Sequence, residues 1–192
     1  MAYDLKNVFY LDTTATITKA TAGSGSAQLD LSAYIDPIAR GRQKGTGLAV
    51  YKTYYSMGQA TTGEPIDDAE VGSCRFGLLA GAGFGDVDTN GLTLGTASMA
   101  MTNALLVSSG DFYGPKSMVA NASPPAAGLM TESQSIKPSI EVPYVIVRDN
   151  VCLVYEVGDN FTSDALLSVR LEVAQISLDQ ATLNQLLRTQ TV

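Results

Sequence analysis

The sequence predicts an all-β protein, an antiparallel β-sandwich or barrel of about nine strands with one short helix at its C-terminus. Three observations support this class. Apolar residues recur at every second position, glycine and proline interrupt the pattern throughout, and no long helical pattern lies between the strands. Parallel βαβ units require such helices and are therefore excluded. The 192 residues show no break in composition, so we expect a single domain over residues 1–192.

In the N-terminal half, residues 48–55 form the clearest strand pattern. Their β-branched and aromatic content suits a pleated surface. Strict alternation predicts two faces, one with Leu48, Val50, Lys52 and Tyr54 and the other with Ala49, Tyr51, Thr53 and Tyr55. Weaker strand patterns occupy residues 4–11, 14–20, 27–33, 73–80 and 98–108. The segment AGSGS, residues 22–26, predicts a flexible hairpin connection.

In the C-terminal half, residues 142–157 predict two strands joined at Asp149 and Asn150, a pair that tolerates the positive φ of a tight two-residue turn. On the second of these strands, one face carries Val151, Leu153, Tyr155 and Val157. The next strand is half-buried, and its predicted inward side chains are Leu167, Val169, Leu171 and Val173. Its predicted outward side chains are Ser168, Arg170 and Glu172.

One helix is predicted at about residues 178–188. Ser177 can cap its N-terminus, and Gln180 completes an S-x-x-Q capping box. Leu183, Leu186 and Leu187 form an apolar stripe. Because a helix this short is marginal in isolation, the stripe must pack on its own sandwich or on a neighbouring subunit, and both alternatives are open.

Charged residues make up only 16% of the chain, against roughly 25% in a typical soluble domain. Subunit contacts are depleted in lysine and glutamate, so this deficit predicts a protein that functions in an assembly; an unusually threonine-rich monomer is the alternative. We expect residues 110–142, rich in proline and glycine, to form an ordered loop that covers a neighbour or makes the outer surface.

The net charge of −7 argues against extensive direct binding of nucleic acid. One basic cluster, Arg40, Arg42 and Lys44, is either a solvated loop or a site for one phosphate or a neighbour's carboxylates. The first residues lack the pattern of a secretory leader, and no window approaches the roughly 18 apolar residues of a membrane span, so we expect synthesis in a cytoplasm. The separate apolar surroundings of Cys74 and Cys152 predict two buried thiols.

A candidate calcium loop contains Asp86, Asp88 and Asn90, followed by Gly91. The string D-V-D-T-N-G matches the first half of the D-x-[DN]-x-[DN]-G pattern, in which alternate oxygens point at the cation. The twelfth position is Ala97 in place of the usual glutamate, so further carboxylates would have to come from Asp67, Asp68 or Glu70. The alternative is a turn in which the Asp and Asn side chains bond their own backbone.

The sequence predicts no enzyme. It contains no histidine, which excludes Ser-His-Asp and Cys-His nucleophile systems and His-based zinc sites. Adjacent Asp67 and Asp68 would point apart on a strand, so nothing nominates a carboxylate dyad. The segment GAGFGD lacks the spacing and the following helix of a phosphate loop.

The uninterrupted series of antiparallel strands, the long loops rich in proline and glycine and the low charge together resemble the single jelly-roll capsid proteins of tailless icosahedral viruses. The resemblance implies two four-stranded sheets packed face to face. It also implies a virion capsid subunit that joins copies of itself, and other capsid proteins, through lateral contacts into an icosahedral shell. Calcium at the Asp86 loop would bridge subunits in such a shell.

The start MAYDLK lacks the basic arm of many small RNA virus capsid proteins. The chain is therefore more similar to capsids built over an internal membrane or another protein layer. The alternative is a carbohydrate-binding or adhesive β-sandwich, either a calcium-dependent lectin-like module or a fibre domain. There the Asp86 loop would bind sugar hydroxyls, and Tyr54, Tyr55 or Tyr113 would stack on the ring.

Overall fold

The computed structural model describes residues 8–36, 44–66, 70–80, 99, 102–114, 129–132 and 137–190. Nine strands and one helix follow one another in these residues: β1 (Val8–Ile17), β2 (Gly23–Asp30), β3 (Lys44–Gln59), β4 (Ser73–Ala80), β5 (Leu106–Tyr113), β6 (Leu129–Glu132), β7 (Tyr144–Ile146), β8 (Asn150–Asp159), β9 (Ala165–Asp179) and α1 (Gln180–Thr189). The predicted all-β sandwich with a short C-terminal helix is confirmed. Within this described part, no helix is long and apolar enough to cross a membrane.

The strands form two antiparallel sheets whose pairings are nested along the chain. The four-stranded sheet has the order β1-β9-β3-β7, and the five-stranded sheet has the order β2-β8-β4-β5-β6. The outermost strands pair first, β1 with β9 and β2 with β8, and they enclose the pairs β3 with β7 and β4 with β5. A long hairpin rolled into two sheets gives this order, which is that of a jelly roll.

The core lies between the sheets and is filled by every second residue of the paired strands. The predicted inward faces of β8 and β9 are confirmed, since Leu153 and Leu171 at their centres are about as buried as Phe76 on β4. Cys74 and Cys152 are both buried free thiols, as predicted. Burial raises the pKa of the Cys74 thiol to about 12 because the thiolate would lose its hydration.

The predicted faces of β3 are wrong beyond its midpoint. The register with β9 shifts between Val50 and Lys52, so one extra residue is accommodated there. After the shift, Lys52 and Tyr54 point outward and Tyr55 packs against the core beside Val50. A bulge transfers all following side chains to the opposite face because the side-chain period of a strand is two.

Two predicted connections also differ from the structure. The segment of residues 22–26 is not a loop, because Gly23 begins β2 and pairs with Val157. The two-residue hairpin at Asp149 and Asn150 is wrong, because β7 belongs to the four-stranded sheet and β8 to the five-stranded sheet. Residues 147–149 therefore cross between the sheets, and the Asp149 carbonyl accepts a 2.6 Å hydrogen bond from the backbone N–H of Leu31.

Strand boundaries were displaced in two further places. Among the described residues, the predicted strands 4–11 and 14–20 form one strand, β1, and the predicted strand 98–108 is extended only from Leu106, where β5 begins. Met99 instead covers the outer side of the five-stranded sheet. There it belongs to a cluster of buried apolar side chains, here called the outer cluster: Leu79, Met99, Leu106, Cys152 and Val154.

The C-terminal helix starts two residues later than predicted. Asp179 is the N-cap in place of Ser177, and its Oδ1 accepts a 2.8 Å hydrogen bond from the backbone N–H of Thr182. That bond lowers the pKa of Asp179 because it stabilises the carboxylate. Leu183 is fully buried, and its Cδ2 lies 2.8 Å from where a Cβ on Gly45 would stand, so the helix packs on its own sandwich.

Candidate interaction surfaces

The predicted metal ligands Asp86, Asp88 and Asn90 lie outside the described residues, as do Asp67 and Asp68. Arg40 and Arg42 of the basic cluster are also outside them, whereas Lys44 begins β3 in register with Asp179. In the described ranges, no group of three or more histidine, cysteine, aspartate or glutamate side chains is placed to hold a metal ion.

Glu70, the third carboxylate considered for calcium, is buried and fully engaged. Its Oε1 accepts hydrogen bonds of 2.8 Å from the backbone N–H groups of Gly72 and Thr162. Its Oε2 accepts hydrogen bonds from the Thr162 hydroxyl at 2.8 Å and from the Ser163 N–H at 3.3 Å. These four bonds link the residues before β4 to the connection between β8 and β9. Because a carboxylate has about four lone-pair sites, Glu70 has none left for a cation.

One lateral side of the sandwich consists of the consecutive edge strands β1 and β2, here called the β1–β2 wall. Both pair with their neighbours without a register shift. Each carries a single charged residue, Asp12 or Asp30, and neither contains lysine or arginine. Natural sheet edges are commonly protected by lysine, proline or bulges, so an extended edge that has none of these favours contact with another chain.

The strand β7 forms the opposite edge of the four-stranded sheet, and together with the preceding residues 137–143 it is here called the β7 wall. The strand itself has three residues, and the Gln190 side chain covers its backbone by bonding to the Val145 carbonyl and the Val147 N–H. Ahead of the strand, Val142 is 73% exposed and Ile140 is 39% exposed. This wall therefore combines a covered strand edge with an exposed apolar patch.

The outer face of the four-stranded sheet carries an open groove of about 570 Å³. The register places side chains of β1, β9 and β3 side by side in successive rows. The groove, here called the tyrosine groove, is lined by Tyr10, Asp12, Thr14, Tyr54, Tyr55, Ser56, Ser168, Val169 and Arg170.

Tyr54 is held at this face by an acidic neighbour. Its hydroxyl donates a 2.9 Å hydrogen bond to Oε2 of Glu172. This bond raises the pKa of Tyr54, because the neutral phenol donates to the carboxylate and a phenolate would be repelled by it. The rings remain accessible, with Tyr10 59% and Tyr54 45% exposed.

The outer face of the five-stranded sheet carries a smaller groove of about 250 Å³, here called the Arg75 groove. Its lining includes Ser73, Arg75, Asp111, Tyr113 and Glu156. The Arg75 Nε donates a 2.8 Å hydrogen bond to Asp111 Oδ1 as part of an ion pair. The outer cluster closes another part of this face.

Sequence reasoning found only some of these residues. The outward positions of Ser168, Arg170 and Glu172 on β9 were predicted from alternation. Alternation does not predict their grouping with Tyr54, because it takes no account of the bulge in β3. The sequence contains one sign of that bulge: strict alternation would place Lys52 on the apolar face of the strand. Tyr55 does not present a ring to solvent as proposed, because it lies 4.7 Å from the Phe76 ring and its hydroxyl is 2.7 Å from Ser108 Oγ.

Comparisons with known proteins give no family for this chain. No protein-family model matches it, and no curated protein matches it. Among solved structures, it is similar to a chain in the structure of Desmodium yellow mottle tymovirus, at 8% sequence identity and a TM-score of 0.33, covering 90% of this chain and 87% of that one. A TM-score of 0.33 carries no argument about function.

Proposed function

We propose that this chain is the structural subunit of a virus capsid and that copies of it associate edge to edge into a closed icosahedral shell. The observation that carries the proposal is the β1–β2 wall, two consecutive edge strands neither of which contains a lysine or an arginine. In a monomer such an edge would be open to uncontrolled strand pairing, whereas in a shell each copy covers it.

The second wall supplies a complementary surface. The β7 wall lies at the opposite end of the four-stranded sheet from β1, so contact between the two walls joins different surfaces of neighbouring copies. Contacts of this heterologous type produce closed rings when the rotation between copies closes. A standard interface buries about 800 Å² on each partner, and a surface with few charges lowers the cost of removing water from that area.

The net charge of the chain indicates which other components the particle would need. With a net charge of −7, this chain would leave the genome to other molecules, and an internal membrane or a second protein layer would lie beneath the shell. Location in the virion, association with other capsid proteins and a calcium bridge through Asp86, Asp88 and Asn90 belong to the same proposal.

Electron microscopy and native mass measurement of the purified protein at micromolar concentration test the proposal. We expect large closed particles from the unmodified chain. The substitutions Gln28→Lys on the β1–β2 wall and Val142→Lys on the β7 wall each place a charge on an exposed position, and we expect both to yield small species. The matched control Ser56→Lys adds the same charge on the outer face of the four-stranded sheet, on β3, which belongs to neither wall.

Two outcomes would overturn edge-to-edge assembly. One is an unmodified chain that stays monomeric, and the other is a control that dissociates particles as readily as the wall variants. Chelation with EDTA tests calcium separately: particles that lose stability support a calcium bridge, and particles unchanged in size and stability contradict it.

A further inference from the structure

The tyrosine groove has the dimensions of a small-ligand site. Its floor is formed by Ser168 and Arg170 on β9, and β1 and β3 flank this strand on either side. Two strand spacings separate β1 from β3, which makes the groove about 10 Å wide. Its volume of about 570 Å³ falls within the range of pockets that hold small molecules.

The groove offers hydrogen-bonding groups of both kinds without committing them to each other. Asp12 lies opposite Arg170 in the β1–β9 register. In the part of the chain that the structure describes, neither side chain has an ion pair or hydrogen bond. The next row of the register, formed by Thr14, Ser168 and Ser56, adds hydroxyl groups that can each donate and accept.

The charge balance of the lining selects the class of ligand. The carboxylate of Asp12 and the guanidinium of Arg170 cancel, so the groove favours an uncharged molecule. An acceptor and a donor side by side match two neighbouring hydroxyls of a ligand, because each hydroxyl both donates and accepts. The exposed rings of Tyr10 and Tyr54 provide apolar surfaces for the C–H face of such a molecule.

From these features we propose that the tyrosine groove binds a neutral sugar. Adjacent hydroxyls of the sugar ring bond to Asp12 and Arg170, and its apolar face lies against Tyr10 or Tyr54. The site goes beyond the proposed shell function and does not rest on it. It provides a capsid subunit, or any other assembly of this chain, with a means of attaching to glycans.

The Arg75 groove is a natural control because it has a similar composition. It also combines arginine, aspartate, tyrosine and serine. Its arginine and aspartate bond to each other at 2.8 Å, and its volume is about 250 Å³. The engaged Nε and Oδ1 and the smaller volume leave fewer free groups and less space for a sugar, so we expect no binding there.

The test is binding of the full chain to immobilised neutral oligosaccharides, with sialylated and uronate-containing oligosaccharides on the same surface. The best neutral oligosaccharide is then titrated by calorimetry. We expect Asp12→Asn and Arg170→Met to weaken its binding about tenfold or more, because each removes a charge-assisted hydrogen bond. Tyr54→Ala is expected to weaken it through loss of ring contact.

The matched controls are Asp111→Asn and Tyr113→Ala in the Arg75 groove, which should bind as the unmodified chain does. All these positions reach solvent, and circular dichroism verifies that each variant folds. Three results would overturn the proposal: no neutral oligosaccharide bound, binding of acidic oligosaccharides only, or equal losses in the controls. Repeating the titration on Val142→Lys separates sugar binding from assembly, because that variant tests the groove in copies that do not associate.

Discussion

Each outer face of the sandwich carries a buried apolar cluster and an open groove with an arginine and an aspartate, and the two grooves differ in how these charged side chains are paired. On the five-stranded sheet, the outer cluster is buried and Arg75 is paired with Asp111. On the four-stranded sheet, Tyr54 is exposed and the described structure gives Arg170 and Asp12 no partner. Each groove has an arginine directly opposite an aspartate on a neighbouring strand, so composition alone does not separate them.

The difference shows that the pairing and burial of side chains, more than their residue types, determine whether a surface binds a ligand or contributes to stability. Asp111 occupies the Nε donor of Arg75, whereas Arg170, which has no partner among the described residues, offers all its N–H donors to a ligand. The part of a face that Met99 covers contributes to stability, and an uncovered part is available for recognition. Stability, thiol reactivity, charge coupling and titration each measure this difference.

The largest expected difference is in stability. Leu79→Ala removes a side chain that is 4% exposed in the outer cluster, and it should lower the free energy of unfolding by about 2–5 kcal/mol. Ser56→Ala in the tyrosine groove, on the outer face of the four-stranded sheet (here called the open face), should change this free energy little, because that side chain is exposed. Urea denaturation of both variants measures the contrast, and equal losses would show that the two faces are packed alike.

The reactivity of the cysteine thiols tests directly whether the outer cluster excludes solvent. Cys152 lies on the outer side of the five-stranded sheet yet is fully buried, and the pKa of Cys74 is raised to about 12, so neither should react with a disulfide reagent near neutral pH. Thr14→Cys on the open face should react at least about tenfold faster than both, which corresponds to a protection of about 1.4 kcal/mol or more. Rapid modification of Cys152 in the folded protein would mean that the outer cluster is open.

The next smaller expected difference is in the interaction free energy between the arginine and the aspartate of each groove. A double-mutant cycle on Arg75 and Asp111 is expected to give about 0.5 kcal/mol, since 51% of the arginine side chain is exposed and solvent screens the pair. The corresponding cycle on Arg170 and Asp12 should give a value near zero and show no dependence on salt. A coupling on the open face as large as that of the Arg75 pair would contradict the free donor and acceptor on which sugar binding depends.

The smallest expected effect is a change in titration. Replacing Glu172 by Gln should lower the pKa of Tyr54 towards 10, because ionised Tyr54 would no longer face a carboxylate. Ultraviolet difference titration of the phenol measures this pKa, and Asp111→Asn on the other face serves as the control. An unchanged Tyr54 pKa in Glu172→Gln would show that the bond between the two side chains does not persist in solution.

Local patterns predicted some elements and misled in others for definable reasons. The inward residues of β9, such as Leu167 and Val169, were correct because that strand alternates without interruption over its apolar part. Asp149 and Asn150 suit a hairpin turn, but β7 and β8 enter different sheets, and this choice depends on partners far away in the chain. The position of Tyr54 depended in the same way on a bulge opposite β9.

The sequence by itself determined that the chain forms half-buried strands, that its two cysteines are buried thiols and that its surface has few charges. These properties follow from residue type and from a period of two, which are local. Only the tertiary structure decided that the strands nest as a jelly roll, that Glu70 is consumed by backbone donors and that Arg170 remains free where Arg75 does not. Alternation specifies which side of a strand is buried, but the identity and register of the neighbouring strand depend on contacts between distant segments.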